Sequence, residues 1–134
     1  MVLFGILFQQ RTREIEGTWI DLFEGSSFFE NQDIASACSP DFNSAPYFAY
    51  YPKRGTTEYR LVEANRQRLD EGSALFVSEH GVWPVTAYSV KFVGRHQVLG
   101  IGFGHFGSHP SQYVVERVIS IEPIQFTECD IRAS

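Results

Sequence analysis

Cysteine is scarce: the 134-residue chain holds two, Cys38 and Cys129, far apart, with neither metal-type spacing nor a Cys-x-x-Cys pair. That rules against a disulfide framework or a thiolate metal cluster, and leaves two thiols that pair only if the fold brings them together. Long apolar runs are also missing. The opening apolar stretch, residues 2–8, is far short of the ~20 residues that cross a bilayer. It has no basic residue ahead of it and leads into Gln9-Gln10-Arg11. It makes neither a membrane span nor a secretory signal, and the cytoplasm is the expected location. Positive charge is in deficit: 11 Lys and Arg face 16 Asp and Glu, a net charge of −5. A general nucleic-acid binder needs a surplus of Lys and Arg to neutralise phosphate, so nucleic acid is not the expected partner. The chain also lacks G-x-S-x-G, His-Glu-x-x-His and any cysteine-hydrolase signature. No metal or cofactor is implied, and a non-enzyme is favoured.

Aromatic residues are abundant, with twelve Phe, six Tyr and two Trp making up 15% of the chain. Each buries ~150–250 Å², and a chain of this length builds one core, so residues 1–134 read as a single domain. Two-residue alternation, not a long helical stripe, dominates the pattern. In 85–95, Tyr88, Val90 and Phe92 alternate with Ser89 and Lys91. In 112–122, Tyr113, Val115, Ile119 and Ile121 share a face that Arg117 interrupts, either because a bulge shifts the register or because Arg117 turns inward. The strand 14–23, carrying Trp19, and the pair Phe28-Phe29 form a hairpin across Gly25-Ser26-Ser27. Residues 31–46 make a long surface loop. Residues 47–51 and 57–62 are strand candidates around a turn at 52–55, and 64–71 is the one helix candidate, ended by Gly72. The expected fold is all-β with one short helix, a small OB-like Greek-key β-barrel. An SH3-like barrel or a lipocalin-like meander would satisfy the same pattern. Trp19, Tyr88, Val90, Phe92, Val115 and Ile119 are expected in the core.

The segment 100–110 is the least generic part of the chain. Gly102, Gly104 and Gly107 spell G-x-G-x-x-G, but a Pro and then a strand follow where a dinucleotide site needs a helix. The economical reading is a strand with Gly100, Gly102 and Gly104 on one face, open to close packing, and Leu99, Ile101, Phe103 and His105 on the other. His105 is then a structural histidine bonded to a carbonyl or carboxylate, while His109 is expected to be exposed and dispensable. A zinc site from His80, His96, His105 and His109 is the lesser alternative, because four-residue spacing in a turn aligns nothing. Glu24, Glu30 and Asp33 read as solvated hairpin-end carboxylates before they read as an acid/base pair.

Glu24-Gly25-Ser26-Ser27-Phe28, and Phe92-Val93-Gly94-Arg95 running on to Gly104-His105-Phe106-Gly107 and the strand 114–121, resemble a group of small, mostly uncharacterised bacterial proteins. These carry Phe-x-Gly-Arg followed by Gly-His-x-Gly in an OB-like barrel. The resemblance covers about two-thirds of the chain and implies a fold more than a function. Some members are lipoproteins, but this chain has no lipobox cysteine near its start and none directly after Phe28-Phe29. Membrane anchoring does not carry over.

The leading functional reading is a non-catalytic protein-binding domain, inhibitor- or immunity-like, with an unidentified protein as partner. Tyr47, Phe48, Tyr50 and Tyr51, between Pro46 and Pro52, are the candidate interface aromatics. The second is OB-type single-strand nucleic-acid binding, with Tyr59 stacking on bases and Arg54, Arg60, Arg66 and Arg68 on phosphate. Those arginines belong to a basic run, with Lys53, that outnumbers Glu58 and Glu63 and reads first as a solvated face. The third is a small hydrolase or metal-dependent enzyme using His105.

Overall fold

A computed structural model of the chain describes residues 11–22, 25–33, 45–67, 74–78, 81–98, 102–103, 109–124 and 130–132. The hairpin expected around Gly25 is present: β1 (Arg13–Leu22) pairs antiparallel with β2 (Gly25–Glu30), setting Trp19 opposite Phe28. The other edge of β1 takes the long strand β5 (Gly81–Gln97), with Trp19 opposite Tyr88 and Ile15 opposite Phe92. Strand β6 (Gln112–Ile124) runs antiparallel to β5. The short β3 (Tyr47–Ala49) joins β6 in parallel and meets β2 at Ser27. The circuit β1-β2-β3-β6-β5 returns to β1, a ring-like sheet of five strands. Strand β4 (Ala74–Ser78) adds to the start of β5, and β7 (Asp130–Arg132) runs parallel to β4. Among the described residues the protein is mainly β with one short helix, as its patterning requires.

Aromatic rings fill the ring of strands. Trp19 stacks on Tyr88 at 4.8 Å and Phe28 on Phe48 at 4.9 Å, while Phe92 and Tyr113 meet Phe28 edge-on. Trp19, Tyr88, Val90 and Phe92 are buried as expected. On the opposite face, the cross-strand partners Ile20 and Ala87 are buried too, so the β1–β5 sheet is covered on both sides there.

Closing so small a ring demands sharp coiling. A Cβ on Gly17 would collide with the Phe29 carbonyl oxygen, and one on Gly94 with that of Val114. Glycine lets these backbones approach. This is the role expected of the 100–104 segment, of which Gly102 and Phe103 are described. Gly102 has φ of 67° and is therefore not in extended strand, and Phe103 forms an isolated bridge with His109.

Two expectations are corrected. In β6 the pairing with β5 slips twice, between Lys91 and Phe92 and between Val93 and Gly94, leaving Ile119 and Glu116 as extra residues. The bulge reading of Arg117 holds, and Arg117 is exposed. Each slip turns the chain by one residue, so Ile119 faces outward at 43% exposure, while Val115 and Ile121 stay packed against the core. Residues 57–62 are not a strand: α1 (Thr57–Gln67) begins there. Gly55 at φ 87° turns the chain, and Thr56 caps the helix by accepting the Tyr59 N–H on its hydroxyl at 3.2 Å. Glu58 in the first turn and Arg66 in the last complement the helix dipole.

Candidate functional site

Strand β3 decides which aromatics reach solvent. Its alternation turns Phe48 into the core at 0% exposure and leaves Tyr47 and Ala49 on the other side. The chain then leaves the sheet through Tyr50, Tyr51 and Pro52 and returns along α1. Tyr59, Val62, Glu63 and Arg66, spaced i, i+3, i+4 and i+7, share the helix face that looks back at β3. Between the two lies a cleft of about 650 Å³, open on one side.

Trp19 forms part of its floor. The indole N–H donates to Ser26 Oγ at 2.8 Å, and that hydroxyl donates to the Phe48 carbonyl at 3.1 Å. Tyr50 stands edge-on to Trp19 at 5.6 Å. On the rim, the hydroxyls of Tyr47 and Tyr51 hydrogen-bond to each other, and Tyr51 is 77% exposed. Burial raises the Tyr47 phenol well above its ordinary value and pushes Tyr50 up to about 12, so both stay neutral.

Charge enters through Asp21, at the end of β1. Its nearly buried carboxylate accepts Arg66 Nε at 2.8 Å, Arg66 Nη2 at 3.3 Å and the Thr86 hydroxyl at 3.4 Å. Burial raises the Asp21 carboxyl above its usual range, against the pull of Arg66. Arg66 also reaches Glu63 at 3.3 Å. One guanidinium is thus shared by two carboxylates, and this group carries one net negative charge. Tyrosine rings, an indole in the floor and a slight negative charge thus surround one opening. Comparison with family models, curated proteins and solved structures returns no match.

Of the residues singled out in the sequence, Tyr47, Tyr50 and Tyr51 come together here with Tyr59. Phe48 does not: it belongs to the core between Phe28 and Phe92. Arg54 and Arg60 are exposed and do not line the cleft; Arg60 reaches back to the Gly55 carbonyl at 3.4 Å. His105, His80, Arg68, Glu24, Cys38 and Cys129 lie outside the described residues. Among the described residues, no three His, Cys, Asp or Glu side chains are grouped to hold a metal. His96 lies flat on Tyr113 at 4.1 Å with Nε2 2.9 Å from Ser111 Oγ. Glu30 is held by Arg13 and Tyr113.

His109 corrects a further expectation. It is 8% exposed, not solvated, and its Nδ1 lies 2.8 Å from the Ala45 carbonyl oxygen, with the ring against Tyr47. Sequence reasoning also missed Trp19, Asp21, Ser26 and Glu63 as cleft residues. An aspartate inside the apolar run Trp19-Ile20-Asp21-Leu22 was the available signal, because strand carboxylates are rarely buried without a partner.

Proposed function

We propose that this chain is a non-catalytic protein-binding domain, built as a small OB-type Greek-key barrel, that receives an extended segment of its partner in the tyrosine-lined cleft beside α1. The observation that carries this reading is the grouping of Tyr47, Tyr50, Tyr51, Tyr59 and Pro52 around one opening over Trp19. Aromatic grooves bind extended peptides, because rigid rings supply large contact area at low entropic cost. The cleft volume falls within the ~300–1,000 Å³ usual for binding sites. Its inner polar groups already have partners: Ser26 is engaged by Trp19 and Phe48, and Asp21 by Arg66 and Thr86. That supports recognition over bond-breaking. The OB-type reading is supported by the strand circuit, its parallel β3–β6 join and a helix between the third and fourth strands along the chain. The negative charge of the cleft opposes a phosphate backbone.

Peptides selected from a displayed library on the purified domain test the proposal. Tyr51→Ala, at an exposed position, is expected to leave the fold intact and weaken the selected peptides about tenfold or more. A dT oligonucleotide is expected to bind no tighter than ~10 μM at physiological salt. Peptides indifferent to Tyr51→Ala, or salt-sensitive submicromolar oligonucleotide binding, would overturn it.

A further inference from the structure

Resting on the peptide-binding reading, we infer that the cleft selects a cationic anchor, an arginine side chain of the partner segment, held between the tyrosine rings and the Asp21–Glu63 carboxylates. Three observations converge. First, tyrosine rings line the walls, aromatic rings attract cations through their quadrupole, and Tyr51 stands largely free in solvent. Second, the carboxylates outnumber the cation. Arg66 places Nε and Nη2 on Asp21 and Nη1 on Glu63, so two negative charges share one positive one. A carboxylate offers about four lone-pair sites, and Glu63, with a side chain 37% exposed, keeps capacity on its solvent side. Third, the chain is acidic overall at −5, which draws a basic partner and repels an acidic one.

Arginine fits better than lysine. Its planar guanidinium stacks on an aromatic face while its edge donates to a carboxylate, whereas an ammonium is a compact, strongly hydrated charge. Arg66 already demonstrates the edge-on half of that geometry inside the cleft, through its two contacts with Asp21.

The test uses four blocked tripeptides on the full chain: acetyl-Pro-Xaa-Pro-amide with Xaa arginine, citrulline, lysine or glutamate. Binding is followed by NMR at the tyrosine rings and the Arg66 Nε–H. The arginine peptide is expected to bind about tenfold more tightly than its neutral citrulline isostere, with glutamate weakest. Glu63→Gln, at a partly exposed helix position, is expected to lower arginine affinity several-fold and citrulline affinity much less, with little change in the melting temperature. Equal affinity for arginine and citrulline, with shifts still confined to the cleft, overturns the cationic anchor and leaves the peptide site standing. Tighter binding of glutamate also overturns it. If no probe perturbs the cleft, both readings fall.

Discussion

At the scale of single residues, His109 shows how much one buried polar group organises. A carbonyl oxygen only accepts, so the 2.8 Å contact with Ala45 requires the proton on Nδ1 and sets the ring's tautomer. The ring also lies 5.4 Å from Tyr47, so His109 braces the chain just before β3 and one wall of the cleft together. Replacing it leaves the Ala45 carbonyl without its donor and opens a void. His109→Ala is expected to cost about 1–3 kcal/mol, read as a melting temperature lowered by several degrees. An unchanged transition would return His109 to the surface role that its sequence context suggested. That context misled because Gly107 and Pro110 mark a turn in the sequence, and turns usually lie at the surface, whereas His109 bridges to Phe103 and its ring reaches the Ala45 carbonyl. Local pattern does not encode where a reversed chain lands.

At the scale of elements, α1 and β5 contrast. The helix was legible only in part. Gly55 and Thr56 signal its start, and Tyr59, Val62, Glu63 and Arg66 recur at helical spacing, yet the β-prone Thr57, Tyr59 and Val62 favour a strand locally. Burial of Val62 in the core, and the reach of Arg66 to Asp21, settle the matter through tertiary contact. Strand β5 was read correctly from Tyr88, Val90 and Phe92, but its glycine acquires meaning only in the ring. Gly94 faces the Val114 carbonyl and lies against the Phe92 ring, with no room for a methyl group. Gly94→Ala is expected to destabilise the fold by about 1–3 kcal/mol through forced backbone shifts, measured by urea unfolding. An unfolding midpoint matching that of the native protein would show that the β5–β6 crossing has slack.

At the scale of the whole molecule, ionisable groups tie stability to pH in opposing directions. Glu30 accepts two hydrogen bonds from Arg13, at 2.7 and 2.9 Å, and one from Tyr113 at 2.8 Å. The Arg13 hydrogen bonds hold it below its ordinary 4.5. The unfolded chain therefore takes up this proton first, so the contribution of Glu30 is complete above about pH 4.5 and is lost as pH falls through its folded value. His96 acts in the same sense: burial lowers it from 6.5, so the unfolded state gains protons first as pH drops below that point. Asp21 opposes both, since burial raises it above 3.8 and the folded state keeps a proton that the unfolded chain releases. Urea unfolding from pH 7 downward is expected to show stability falling from about pH 6.5, and falling further below about pH 4.5. Glu30→Gln is expected to remove most of the second fall and leave the first. A variant whose acid limb parallels that of the native protein would show that Glu30 is not held as described.

The sequence by itself determined a β domain with an aromatic core, the β1–β2 hairpin, the inward face of β5 and the aromatic cluster at 47–51, because alternation and turn chemistry act over a few residues. Only the tertiary structure decided that Phe48 faces inward while Tyr47 and Tyr51 face outward, that His109 is buried, and that Asp21, Glu63 and Arg66 meet. Those outcomes depend on strand register and on contacts between segments up to 65 residues apart, such as Asp21 with Thr86. Their energies are earned only when the ring closes.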